Sequence, residues 1–136
     1  SGSRLLGVRA CKLREQLGLL SGPVEEFQKS AEAEHNAMLS MLVDEGYLDA
    51  SALEDELANE NEIIDALYRG LKGSPCKLMA ASIAAVGEKR TQNQPGTSNE
   101  YPNWRIPLAD GDGNVVPLEQ LFDNTRLQEI AAIMRG

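Results

Sequence analysis

Aromatic side chains are scarce, with one tryptophan, three tyrosines and two phenylalanines in 136 residues. A core built from this chain must therefore rest on Leu, Ala, Ile and Met. Basic residues are also few, 13 Lys and Arg against 21 Asp and Glu, for a net charge of −8. That balance argues against nucleic acid and anionic membranes as partners, because both need a basic face. It leaves a neutral or small ligand. No apolar run approaches the roughly 18 to 20 residues that cross a bilayer. His35 is the single histidine, and neither Cys11 nor Cys76 has a second thiol nearby. Metal-ligand spacing is therefore absent, and nothing in the residues calls for a cofactor. Without a signal-peptide pattern, the two cysteines read as free, buried thiols in a reducing cytoplasm. Ser1-Gly2-Ser3 looks like a cloning scar and no initiator Met precedes it. We therefore expect a piece of a longer protein, one domain's worth of chain at most.

What is present is mostly helical pattern. From Arg4 to Leu17, Leu5, Val8, Leu13 and Leu17 recur at helical spacing, and Gly18 is a stop. Pro23 with Glu25 and Glu26 opens a second helix, since Pro suits a first helical position and acids favour the positive end of the dipole. Val24, Phe27, Ala31, Met38, Leu42 and Val43 carry it to about Glu45, with Gly46 as the end. His35 falls within it and has no sequence partner for a metal or catalytic role. Ser51 to Glu54 has capping-box spacing and predicts a short helix to about Ala58. Asn59 or Asn61 then caps a helix with Ile63, Ile64, Leu67 and Leu71 on one stripe, ending at Gly73. The acids Glu54, Asp55, Glu56, Glu60, Glu62 and Asp65 lie off the apolar stripes and read as a solvated surface rather than an acid–base pair.

Beyond Ser74-Pro75 the character changes. Cys76 to Ile83 is short and nearly uncharged; its length and flanking Pro suit a buried strand, and its alanines suit a helix equally. Further on, Arg105 to Leu108 and Val115 to Leu118 flank Ala109-Asp-Gly-Asp-Gly-Asn114, a hairpin signal. Asp110, Asp112 and Asn114 match the first ligands of a calcium loop. The match then fails, with Val115 where Gly is required and Leu121 where Glu is required, so turn chemistry is the reading. A last helix, capped at Asp123 or Asn124, carries Leu127, Ile130, Ala131, Ile133 and Met134.

Between these elements lies Gln92 to Pro107, a long stretch with no periodicity, three prolines and the only tryptophan. Such a segment is either functional or disordered, and Tyr101 and Trp104 beside rigid prolines argue against disorder. Asn93 offers a carboxamide that both donates and accepts, which suits a hydroxyl-rich ligand. Pro95-Gly96 makes a tight turn. Trp104 and Tyr101 present flat faces on which a sugar ring can rest, and Arg90 and Arg105 can brace the loop or bind carboxylates. Composition supports equally a reading in which both aromatics are core anchors and the asparagines cap turns.

The wording of the loop adds to this. Asn93-Gln94-Pro95-Gly96-Thr97 followed by Glu100-Tyr101-Pro102-Asn103-Trp104-Arg105 resembles the C-terminal signature of the amylomaltases, bacterial 4-α-glucanotransferases of the α-amylase clan. Leu13-Arg14-Glu15-Gln16-Leu17-Gly18-Leu19-Leu20 looks like the helix after that family's seventh barrel strand. Cys76–Ile83 stands where its eighth strand would be. The resemblance implies a fold class that is mostly α with a few short strands, the C-terminal fragment of a (β/α)8 TIM-barrel enzyme. Residues 4–73 would lie between barrel strands seven and eight, and residues 74–136 would supply the last strand, the substrate loop, the hairpin and the final helix. The activity implied is transfer of α-1,4-glucan segments to acceptor sugars with retention, by an Asp nucleophile and a Glu acid–base. Those residues lie upstream, so no carboxylate here is assigned a catalytic role and the isolated fragment is expected to be inactive. Asn93 matches a substrate-contacting position, Pro95 and Gly96 shape its loop, and Trp104 and Arg105 match motif positions of contact or support. The ligand is then an α-1,4-glucan or maltooligosaccharide, and a lone barrel strand with open edges can pair with another copy. Two other readings are a freestanding acidic helical module for a protein partner and a non-catalytic carbohydrate-binding domain.

Overall fold

The computed structural model describes residues 11–136, so Ser1-Gly2-Ser3 and the expected helix start at Arg4 lie outside the described residues. The chain divides into two compact units, one through Leu67 and one over Tyr68–Gly136. Residues 11–16 are helical, and the turn closes at Gly18, whose φ is +66°. Helix α1 spans Val24–Asp44 with Pro23 at its cap position and Glu25 and Glu26 in the first turn. Its end is a Schellman motif. Gly46 takes φ +75°, its N–H donates to the Val43 carbonyl, and the Tyr47 N–H reaches back to the Leu42 carbonyl. The following chain is thereby folded onto the helix it has just left.

That reversal brings together Leu39, Leu42, Leu48, Ala52, Ile63 and Ala66, the core of the first unit. Leu42 is fully buried, worth about 2–3 kcal/mol of apolar transfer. Helix α2, Glu60–Gly73, supplies Ile63 and Ala66. The expected capping box at Ser51 is corrected. Asp49 is the cap, its carboxylate accepting from the Ser51 N–H and hydroxyl, and it opens only a 3-10 turn over Ala50–Leu53. The serine hydroxyl is spent as a donor to that carboxylate, and the Glu54 N–H goes to the Ser51 backbone carbonyl instead of its side chain. Asn59 does not cap through its side chain, which donates to the Ala52 and Asp55 carbonyls. Its backbone carbonyl accepts the Ile63 N–H instead.

The acidic surface is also less uniform than the stripes imply. Glu54, Asp55 and Glu62 are exposed, whereas Glu56 is half-buried and meets His35 at 2.9 Å. That pairing joins α1 to the turn before α2, a structural use for the lone histidine.

In the second unit the 3-10 turn Ile83–Val86 packs against helix α4, Thr125–Arg135, with Val86, Ala109 and Ile130 buried. Asn124 caps α4, accepting the Leu127 N–H at 3.0 Å. Helix α3 is a single turn, Leu118–Leu121. The expected strand at Cys76–Ile83 is absent. Residues 76–82 are irregular, Leu78 is 93 % exposed, and the described residues contain no sheet, only an isolated bridge between Ala109 and Val115. A strand needs a neighbour to satisfy its ladder, and none is supplied. Cys76 is free as expected but exposed rather than buried, and Cys11 is free and half-buried.

The hairpin signal survives as a tight turn. Asp110 Oδ1 accepts the N–H groups of Asp112 and Asn114 at 2.9 Å each, and Oδ2 accepts from the Asn114 side chain. The Asn114 N–H in particular holds the Asp110 carboxyl below its usual range. Its lone pairs serve the turn, in keeping with turn chemistry over calcium. No helix among the described residues is long and apolar enough to cross a membrane, and no group of metal-ligating side chains is gathered among them.

Candidate functional site

The irregular stretch 92–107 is joined at its base by one ion pair. Gly87 ends the 3-10 turn at φ +113° and hands the chain to Glu88. The Glu88 side chain is only 2 % exposed. Its carboxylate accepts from Arg90 Nε at 2.9 Å and Nη2 at 2.7 Å, from the Arg90 N–H at 2.8 Å, and from the Ala109 N–H at 2.9 Å. Arg90 Nη2 also donates to the Pro107 carbonyl. Chain entering the loop is thus tied to chain leaving it. The Arg90 side-chain bonds, against the opposing effect of burial and helped by the two backbone N–H groups, hold the Glu88 carboxyl down at about 2, from 4.5.

Inside the loop the bonding is dense. The Tyr101 hydroxyl donates to the Thr91 carbonyl, and the Trp104 N–H donates to the Gln92 carbonyl at 2.9 Å. Thr97 N–H reaches the Gln94 carbonyl across Pro95-Gly96, where Gly96 takes φ +89°. Pro followed by a positive-φ Gly is the arrangement of a type II turn, as the dipeptide predicts. Asn103 Oδ1 accepts the Gln94 N–H at 2.7 Å, and its Nδ2 donates to Thr97 Oγ1 at 2.8 Å. Gln94 is buried beneath this network.

The expected site residues sort accordingly. Pro95 and Gly96 are shaping residues, and Tyr101 is a brace. Trp104 is no core anchor: it is 77 % exposed and sits at φ +58°, the one described non-glycine residue with positive φ. Arg105 gives its N–H to the Pro102 carbonyl, and its guanidinium is exposed. Among the described residues the Asn93 carboxamide and the Arg105 guanidinium make no hydrogen bond or ion pair. Asn93, Trp104 and Arg105 therefore carry side chains the loop does not use for itself. A carboxamide, an indole face and a guanidinium are the groups that bind hydroxyls and ring C–H surfaces. Sequence reasoning missed Glu88 and Asn103, although Glu-x-Arg just before a long loop is a readable clasp signal.

Comparison with known proteins decides the family. Residues 21–112 match the family model described as 4-alpha-glucanotransferase. The chain belongs to that family. A 4-alpha-glucanotransferase of Mycobacterium tuberculosis and one of Mycobacterium bovis are each 44 % identical to this chain over 126 residues. Those alignments cover 92 % of this chain and 17 % of the relative. The crystal structure of amylomaltase from Corynebacterium glutamicum superposes with a TM-score of 0.82 at 30 % identity, over 98 % of this chain and 20 % of that one. This glucanotransferase-family chain therefore spans about a fifth or less of the length of the relatives it matches, and the site described above lies within that span.

Proposed function

We propose that this chain is the C-terminal portion of a cytoplasmic 4-α-glucanotransferase and that its 92–107 loop helps hold an α-1,4-glucan while the rest of the enzyme performs retaining transfer. The observation that carries this reading is the loop itself: a braced backbone whose Asn93, Trp104 and Arg105 side chains are left for a ligand. Asn93 binds ring hydroxyls, Trp104 supports a ring face, and Arg105 contacts the sugar or supports the loop. Pro95 and Gly96 hold the approach open. Residues 4–73 are the segment between barrel strands seven and eight, mostly helical over its described part. The run 76–83, irregular in this chain, takes the place of the last strand of a (β/α)8 barrel in the intact enzyme, where its ladder partners belong to the remainder of the polypeptide. The C-terminal end of such a strand is where barrel enzymes place substrate loops. That run, left without ladder partners in the isolated chain, is also a segment for pairing with a second copy.

Two outcomes are expected. The purified chain alone releases no glucose from maltotriose, because the Asp nucleophile and Glu acid–base of the transfer belong to the remainder of the enzyme; release free of contaminating enzyme would defeat the assignment of catalysis to that remainder. In the intact enzyme, Asn93→Ala lowers kcat/KM for glucan transfer about tenfold or more, while the melting temperature stays within a few degrees. Unchanged kinetics would remove Asn93 from the site.

A further inference from the structure

The two ends of the loop cross at one place. The Gln92 carbonyl receives the Trp104 N–H at 2.9 Å, and the Gln94 N–H is received by Asn103 Oδ1 at 2.7 Å. Asn93 stands between these two bonds, so the peptide groups on both sides of it are held, while its own carboxamide is uncommitted among the described residues. Across from it, Asn103 and Trp104 are adjacent in the chain. We propose that Asn103 is a positioning residue for glucan binding, fixing through its carboxamide where the side chains of Asn93 and Trp104 stand. This rests on the glucanotransferase reading above.

The chemistry of the group supports the role. One planar carboxamide serves three contacts: it accepts from Gln94, and it donates to both Thr97 Oγ1 at 2.8 Å and the Thr97 carbonyl at 3.3 Å. Thr97 Oγ1 in turn donates to the Gln94 carbonyl at 2.7 Å. Asn103 thus links the residue before the Pro95-Gly96 turn to the residue after it. With its acceptor and its donors engaged inside the loop, it acts on the ligand through its neighbours. The backbone at Trp104 needs such support. A tryptophan at φ +58° is disfavoured by contact of its Cβ with its own carbonyl, and such a conformation persists only where the surroundings over-determine it. The Trp104 N–H bond to Gln92 and the Asn103 side-chain bonds next to it supply that constraint. Without Asn103 the loop samples other arrangements, and apparent affinity falls by the fraction of time the competent one is populated.

The test uses the intact enzyme with maltotriose as substrate and compares Asn103→Asp, Asn103→Ala and Thr97→Val. Asp retains the acceptor for Gln94 and loses the donors to Thr97; Ala loses both. The expected result is a KM raised about tenfold for Ala and less for Asp, with kcat within about twofold and the melting temperature within a few degrees. Thr97→Val should move KM in the same direction by a smaller factor. The proposal is overturned if the Asn103 variants leave KM unchanged, or if kcat falls in step with the melting temperature while KM stays put. Should Asn103→Ala not fold, Asn103→Asp and Thr97→Val decide by the same criteria. Asn93→Ala and Trp104→Ala run alongside. If neither changes KM, the glucan reading fails and takes this inference with it. If both raise KM while the Asn103 variants do not, the positioning role alone fails.

Discussion

Glu88→Ala is expected to destabilise the second unit by about 2–4 kcal/mol, because it leaves the Ala109 N–H without its acceptor and strips Arg90 of its counter-charge. The carboxylate it removes is 2 % exposed while the Arg90 side chain is 45 % exposed, so solvent screens one end of the pair and the lower part of that range is favoured. Denaturant unfolding of the whole chain at neutral pH checks the size. Loss of less than about 0.5 kcal/mol would show that the clasp is ornamental. The pH dependence follows from the direction of the shift. The folded-state carboxyl lies at about 2, below its value of 4.5 when free of these partners. The stabilisation is therefore fully present above about pH 4.5 and is lost as pH falls toward 2. The unfolding free energies of the native sequence and Glu88→Ala should stay separated by a constant amount above pH 5 and converge as the medium is acidified through that window. A gap that persists unchanged at pH 2 would place the stabilisation elsewhere.

Gly87→Ala, one residue away, is expected to cost about 3 kcal/mol or more for two reasons that add. Gly87 adopts φ +113°, a conformation that side chains with a Cβ rarely take. A Cβ there would also stand 2.7 Å from the Gly111 nitrogen and 3.2 Å from its Cα. The obstructing atoms are backbone, so relief requires moving the Asp110–Asn114 turn rather than swinging a side chain. That turn borders Ala109, whose backbone N–H donates to the Glu88 carboxylate, so the substitution strains the clasp as well. Limited proteolysis gives a direct reading: Gly87→Ala should expose the 92–107 loop to cleavage well before the first unit is cut. Cleavage patterns identical to those of the native sequence would contradict the close approach.

Much of the first unit is legible in the order of its residues, because its signals are local. Pro23, Glu25 and Gly46 mark the ends of α1 through dihedral preference and dipole, and both ends are found within a residue of where those signals stand. Ser51 misled because a cap is a competition, and Asp49 outside the expected box wins it. His35 with Glu56 is a contact between residues 21 apart, and no periodicity encodes it. In the second unit, Cys76–Ile83 has strand composition without strand structure, since β-structure is a property of pairs and the sequence of one member cannot supply the other. The loop is the mixed case. Pro95-Gly96 announces its turn, and the residue types at Asn93 and Trp104 announce a polar, ring-binding surface. Which asparagine braces and which stays uncommitted is decided by geometry alone, for Asn93 and Asn103 are chemically the same side chain.

Trp104 has a last consequence, optical rather than energetic. It is the sole indole of the chain and stands 77 % exposed, so the indole emission of this polypeptide, excited apart from its three tyrosines, has one source and that source is wet. Its spectrum reports on the loop and not on either core, and collisional quenchers reach it in the native state. Anything that settles on that face, a sugar ring included, therefore changes the surroundings of the one indole in the molecule.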